Sequence, residues 1–213
     1  MKNINTKEYW DNRFSSGDWK STGKQQTREY AKANVSNLTL GKEFNGTILD
    51  FGCALGDAIP IYRSAFPEAR LIGVDISESA VEKCKNRYGQ FADFKAATHF
   101  EIPEADVIIA SHVMEHLTDD TSIVKEILNK CSDLFVFVPF QESPLYFEHV
   151  NCYDTEYYAG VDGFADYKVF KVQYTAQHDL IECVKSIIKL KFKFSSHFSK
   201  DIIMFHFTGK LNK

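Results

Sequence analysis

Apolar residues in this chain keep two rhythms, and their alternation predicts the fold. Short apolar runs occur at 48–49, ending in Asp50, and at 71–74, 107–110 and 134–138, the third inside an expected strand at 105–111. Runs of that length, bounded by Gly, Pro and polar residues, read as strands buried on both faces. Between them apolar residues recur at helical spacing. Ile59, Tyr62 and Phe66 mark one helix, which Pro67 ends. Ser77, with Glu78 and Glu82 behind it, starts a second that runs to about Tyr88. A third covers 120–130, with Ile123, Ile127 and Leu128 turned inward. Strand and helix in alternation predict an α/β fold of the doubly wound kind.

The flanks are less regular. Residues 5–19 predict a helix carrying Tyr9, Trp10 and Phe14, capped by Asn5 or Thr6. Residues 20–27 are polar and predict a loop in which Gln25, Gln26 and Thr27 offer hydrogen bonds. A helix over 27–38 follows, and a short strand is expected at 93–97. Past Pro139, residues 166–174 alternate like a strand, 177–188 read as a helix, and 189–194 and 202–208 as strands. The last two suggest a hairpin turning through 195–201. No repeat or linker divides the chain. It reads as one domain over 1–213, with an N-terminal segment (1–40), a core (46–140) and a substrate-side region (141–213).

The chemistry centres on Asp50-Phe51-Gly52-Cys53-Ala54-Leu55-Gly56 and on Gly73-Val74-Asp75. Gly52 allows a sharp turn after the first strand, and Gly56 allows close approach to the helix start. Asp75 ends the second strand, 19 positions after Gly56. An acid there can accept two hydrogen bonds from a ribose diol. The middle glycine of a dinucleotide turn is missing, so a pyrophosphate is not expected. The absence of Gly-Lys-Ser/Thr excludes a P-loop. The ligand profile is a ribose without phosphate.

That profile fits S-adenosylmethionine, and the residues around it resemble the class I methyltransferases. Leu49–Gly56 resembles their first motif, Gly73–Ser77 their second, and Ala110–Leu117 the strand-four motif of the small-molecule branch. The resemblance covers residues 46–139. It implies a mostly parallel seven-stranded sheet, helices on both faces, and an antiparallel last strand, for which 201–209 is the best choice. It also implies S-adenosylmethionine as cofactor and S-adenosylhomocysteine as product. Asp50, Gly52, Cys53 and Gly56 would hold the methionine part and Asp75 the ribose. Ile76 would pack on adenine, and Ser111 and His112 would line the cofactor near strand four. Tyr9, Trp10 and Arg13 would be lid residues. Relatives often carry an acid near the adenine amine; this chain has Ala96-Ala97-Thr98-His99 there. Glu148–Asp154 resembles a histidine motif placed after strand five, which puts His149 near the transferred methyl. His149 is the catalytic candidate, since imidazole titrates near neutral pH. The acceptor would be a small molecule: a sugar, a nucleotide-linked sugar or a secondary metabolite.

Two competing motifs overlap this reading. His112-Val113-Met114-Glu115-His116 matches the His-x-x-Glu-His of zinc peptidases, which needs all five residues on one helix. A strand running straight into His112 argues against it. Glu115, His116 and His149 also resemble the metal site of 3′-terminal RNA ribose methyltransferases, with His112 where that branch has an acid. A divalent metal is therefore conceivable but not the favoured reading. A non-catalytic cofactor-binding module is the third alternative. His99, His178, His197 and His206 are expected as ordinary surface or strand residues.

Charge and cysteines add little. Net charge is −4, which does not suggest nucleic acid. Seven of the lysines fall after residue 184, with Asp201 as the one acid there, and read as a solvated edge hairpin. Five scattered cysteines without a CxxC pair suggest a reducing, cytoplasmic setting. No apolar run approaches a membrane span.

Overall fold

The computed structural model describes residues 5–17, 19, 23–177 and 195–211. Its centre is a seven-stranded sheet of order β3-β2-β1-β4-β5-β7-β6. The strands are β1 (Thr47–Phe51), β2 (Arg70–Asp75), β3 (Asp93–Ala96), β4 (Ala105–Ser111), β5 (Cys131–Pro139), β6 (Phe164–Gln177) and β7 (Ser195–Thr208). β1 to β5 pair in parallel. β7 alone runs against the others, paired antiparallel to both β5 and β6. The chain reverses its winding between β1 and β4, and ligands of such sheets bind beyond the strand ends at that point.

The apolar runs are the strands for the expected reason. Ile48, Leu49, Val107, Ile108, Ile109, Leu134 and Val136 are all 1% exposed or less. Successive residues of one strand feed opposite faces. Leu49, Ile108 and Val136 pack with Val124 and Ile127 of α5 (Asp120–Leu128). Ile48, Val107 and Phe135 pack with Ile59 and Tyr62 of α3 (Ile59–Ala65) and with Val81 and Cys84 of α4 (Glu78–Tyr88). Helices therefore cover both faces. Ser77 caps α4 as expected, its hydroxyl accepting from Ala80 N at 3.1 Å.

The N-terminal elements differ from the sequence expectation. α1 covers only Lys7–Ser16: the Thr6 hydroxyl accepts from Tyr9 N at 3.2 Å, and Gly17, with φ of 91°, stops the helix. α2 covers Gly23–Val35, so Gln25, Gln26 and Thr27 lie on a helix rather than in a loop. Lys, Gln, Arg and Glu are good helix formers, and polarity alone was a misleading sign of irregularity.

The C-terminal expectation also needs correction. Residues 195–201 are not a turn but the first half of β7, paired with β6 down to Ser195↔Gln177. β5 ends at Pro139, opposite Ile202. Beyond that point β7 pairs with β6 alone, and Ser199, Lys200 and Asp201 are exposed. A polar sequence is what a solvated hairpin needs, so it does not signal a turn. The sixth strand is β6, which lies at the edge with β7 between it and β5. Gln177 ends β6 rather than opening a helix; the rest of the expected helix, 178–188, and the strand at 189–194 fall outside the described residues, as do five of the seven C-terminal lysines.

Candidate active site

The carboxyl ends of β1, β2, β4 and β5 open into one cavity of about 660 Å³. Three non-glycine residues with left-handed backbone sit at these ends. Ala54 (φ 48°) follows β1, His112 (φ 56°) follows β4 and Gln141 (φ 47°) follows β5. Such backbone is uncommon outside glycine and collects at functional sites. Here it lets each strand end turn sharply, and Ala54, His112 and Glu142 line the cavity.

One half of the cavity is built on β1 and β2. Gly52 N and Cys53 N both donate to Val74 O, at 2.8 and 2.9 Å, and tie the turn to the neighbouring strand. Gly52 has φ of 76°, and a Cβ there would lie 2.3 Å from Val113 Cγ2. Only glycine fits. Asp75 accepts from Ala54 N and from Ser77 N, both at 2.9 Å, and each carboxylate oxygen keeps a second lone pair. Asp50 is 4% exposed, and its Oδ2 is buried without a hydrogen-bond partner. Burial, with the Asp75 charge beside it, pushes the Asp50 carboxyl up to about 7. Burial pushes Asp75 up to about 6. Two buried acids side by side, one with an unmet acceptor, suit a cationic ligand with hydroxyl donors. Cys53 and Ile76 line the same half. Gly56 does not: its φ of 75° turns the chain toward α3, and it packs against Cys84 and Tyr88. The wall beyond Ile76 is Ala97 to Phe100. His99, expected as an ordinary surface residue, lines it with its ring 3.9 Å from Phe100.

The other half is built by loops and by α2. Ser111 and His112, read from the sequence as cofactor-lining residues, line this half of the cavity. Asn34, 1% exposed on α2, donates from Nδ2 to Ser111 Oγ at 2.9 Å. Tyr30 stacks on His112 with ring centroids 4.0 Å apart. His112 Nδ1 hydrogen-bonds Glu115 Oε1 at 3.1 Å. Burial alone would raise the Glu115 carboxyl; that hydrogen bond and the charges of three histidines hold it below the usual carboxylate range. Met114–His116 form a single 3₁₀ turn, and His112 stands outside it. The peptidase geometry is therefore not met.

The loop after β5 is pinned to that turn. Val150 N donates to Glu115 O at 2.8 Å, and Asn151 Nδ2 donates to Met114 O and Leu117 O at 3.1 and 2.8 Å. This brings His149 beside His116, ring centroids 5.0 Å apart. His149 Nδ1 donates to the Glu142 carboxylate, and His116 Nδ1 donates to Glu148 O at 3.1 Å. Burial holds the His116 imidazole below its usual range.

α1 lies across both halves. Asp11 Oδ1 accepts from Ser77 Oγ at 2.6 Å and from Ser79 N at 3.2 Å, while Lys83 Nζ donates to Phe14 O at 2.6 Å. At the other side Asn5 Nδ2 donates to Glu148 O at 2.9 Å. Tyr9 donates its hydroxyl to the Glu148 carboxylate, and Arg13 Nε lies 3.4 Å from the same group. Burial and that carboxylate push the Tyr9 hydroxyl up to about 12. Trp10 and Arg13 line the cavity; Tyr9 does not, but holds Glu148 in place. Trp10 packs edge-on to His116, centroids 5.1 Å apart.

A sheet wound in this order, with a glycine turn after β1 and an acid closing β2, is the class I methyltransferase architecture, and the chain belongs with that fold. Residues 49–134 match the methyltransferase domain family. A stretch of 126 residues is 30% identical to flavonoid 7-O-methyltransferase 1A of Mentha piperita, covering 59% of this chain and 35% of that protein. Another of 84 residues is 30% identical to trans-aconitate 2-methyltransferase of Azoarcus sp. strain BH72, covering 38% and 33%. The chain thus spans about a third of the length of these relatives. The N-methyltransferase NodS of Bradyrhizobium japonicum, solved with S-adenosyl-L-homocysteine, superposes with a TM-score of 0.56 at 14% identity, over 86% of this chain and 87% of that one. Among the described residues no helix is long and apolar enough to cross a membrane.

Proposed function

We propose that this chain transfers the methyl group of S-adenosylmethionine to a hydroxyl of a small-molecule acceptor, such as a sugar, a nucleotide-linked sugar or a secondary metabolite. One observation carries the reading. The orphaned Asp50 Oδ2 and the half-satisfied Asp75 carboxylate stand at adjacent strand ends, in a cavity with a separate second half. Asp50 would take the ammonium of the methionine part and Asp75 the ribose hydroxyls. Gly52 and Cys53 would let the ligand lie against the backbone, and Ile76 would pack on the base. The family match over 49–134 and the similarity to small-molecule methyltransferases support the same reading.

When bound, the cofactor supplies an electrophilic methyl carbon on a sulfonium that departs as a neutral thioether. It needs no activation, so the protein's task is alignment and handling of the acceptor. Ser111, His112 and the α2 side chains behind them would fix the wall between the two ligands. His149 would handle the acceptor hydroxyl, and Glu142 fixes which ring nitrogen faces it. Trp10 and Arg13 would close the cavity over the reacting atoms and keep water out, with Tyr9 steadying Glu148 beside them. Calorimetric titration with S-adenosylmethionine and S-adenosylhomocysteine tests the reading. Micromolar binding, about −8 kcal/mol, weakened in Asp75→Asn, is expected. A folded chain that binds neither would overturn it, and labelled methyl transfer to pooled hydroxyl acceptors separates an enzyme from a binding module.

A further inference from the structure

The acceptor half contains a convergence that displacement at a sulfonium does not by itself require. One ligand atom each from Glu115, His116 and His149 lies within 4.8 Å of the other two. Glu115 is 1% exposed, and its Oε2 is buried with no hydrogen-bond partner, while Oε1 is taken by His112. An unmet buried carboxylate oxygen is costly and calls for an occupant. Both rings already have an oxygen acceptor at Nδ1: Glu148 O for His116 and the Glu142 carboxylate for His149. Those acceptors hold the ring proton on Nδ1 and leave the electron pair of each Nε2 free. Metal-ligating histidines are held in this way by carboxylates and backbone carbonyls.

We propose that Glu115, His116 and His149 form a binding site for one divalent transition metal ion, zinc or an ion of similar size and softness. Two imidazole nitrogens and one carboxylate oxygen suit such ions and leave a coordination position open. Magnesium and calcium prefer all-oxygen surroundings and are poorly served. All three residues line the cavity, so the open position faces it. His112 is outside the set: it stacks on Tyr30 and its Nδ1 is engaged with Glu115. This revises the sequence reading, which did not favour a metal. It rests on the proposed function only for the meaning of the open position. There an acceptor hydroxyl would be polarised, and His149 would act on it through the ion rather than as a free base.

The test uses the full chain, stripped with a chelator and titrated with zinc or cobalt(II) alone. Wild type should bind one equivalent at micromolar concentration or below. Cobalt should give the visible absorption of a low-coordinate nitrogen and oxygen site, and zinc should raise the melting temperature. Glu115→Gln and His149→Ala should each lose about tenfold or more in affinity while keeping the wild-type circular dichroism. His206→Asn, at a ring that pairs with Asp133 away from the cavity, should bind as wild type. No stoichiometric binding by folded wild type, or binding unchanged in both ligand variants, would overturn the site. A parallel titration with S-adenosylhomocysteine reads the cofactor half on its own, so failure of one proposal is not mistaken for failure of the other.

Discussion

The two halves of the cavity are built by different means. The half at β1 and β2 hangs on strand ends, where backbone hydrogen bonds between neighbours fix each group. Asp50 stands opposite Gly73 and Asp75 opposite Ala96 in the ladder. The other half hangs on side-chain hydrogen bonds: Asn34 holds Ser111, Asn151 holds the 114–117 turn, Glu142 holds His149 and the backbone carbonyl of Glu148 holds the His116 ring. A ladder is set by the order of the sheet. A side-chain lattice is set by loops free to vary without disturbing the core. One scaffold can thus keep one ligand and change the other.

The contrast breaks most sharply at His149. His149→Ala should lower turnover by roughly 10²–10⁴-fold and leave the affinity for S-adenosylhomocysteine near wild type, measured by steady-state kinetics beside calorimetry. Loss of both would mean the halves are not separable. Asp75→Asn should do the reverse. Its charge-assisted hydrogen bonds are worth about 1.5–3 kcal/mol, so cofactor affinity should fall roughly 10- to 100-fold, with turnover at saturating cofactor far less affected. If turnover falls as far as affinity, Asp75 serves the acceptor half too.

Acidity sharpens the comparison further. Asp50 sits at about 7 in the free protein and is protonated below that. A ligand ammonium favours the ionised form, so binding must release a proton at low pH. Affinity should rise up to about tenfold per pH unit on the acid side of 7 and level off above it. Calorimetry in buffers of different ionisation enthalpy reads the proton directly, and Asp50→Asn should flatten that rise. A pH-independent affinity in wild type would detach Asp50 from the ligand. The smallest effect belongs to Asn34→Ala. One lost buried hydrogen bond, about 1 kcal/mol, should lower the melting temperature by about 2–4 °C and leave cofactor affinity within a few-fold.

This division also explains what could be read from the chain alone. Asp50, Gly52 and Asp75 were legible because a buried strand leaves an unbroken apolar run, and the residue that ends it is conspicuous. Ser111 and His112 were marked by the resemblance of Ala110–Leu117 to a family motif, at the end of the next such run. Asn34 and Tyr30 were not: on a helix of mostly polar sequence, nothing distinguishes a buried asparagine from an exposed one. Glu142 and Glu148 were equally silent, since an acid in a loop is ordinarily solvated. Asp120, read only as a helix start, is 3% exposed and accepts from the hydroxyls of Tyr153, Tyr157 and Tyr158. Nothing local predicts that three tyrosines will fold back onto it. β7 was misjudged because residues 195–201 carry a single apolar side chain, Phe198, and a strand without apolar alternation leaves no sign in the sequence.

The first helix has a consequence for traffic through the site. It is fastened by Asp11 to the start of α4 and by Tyr9, Asn5 and Arg13 to Glu148. It is a crossbar resting on both rooms of one building. Whatever shifts it when one room fills alters the doorway of the other, and thermodynamic reciprocity requires the influence to be equal in both directions.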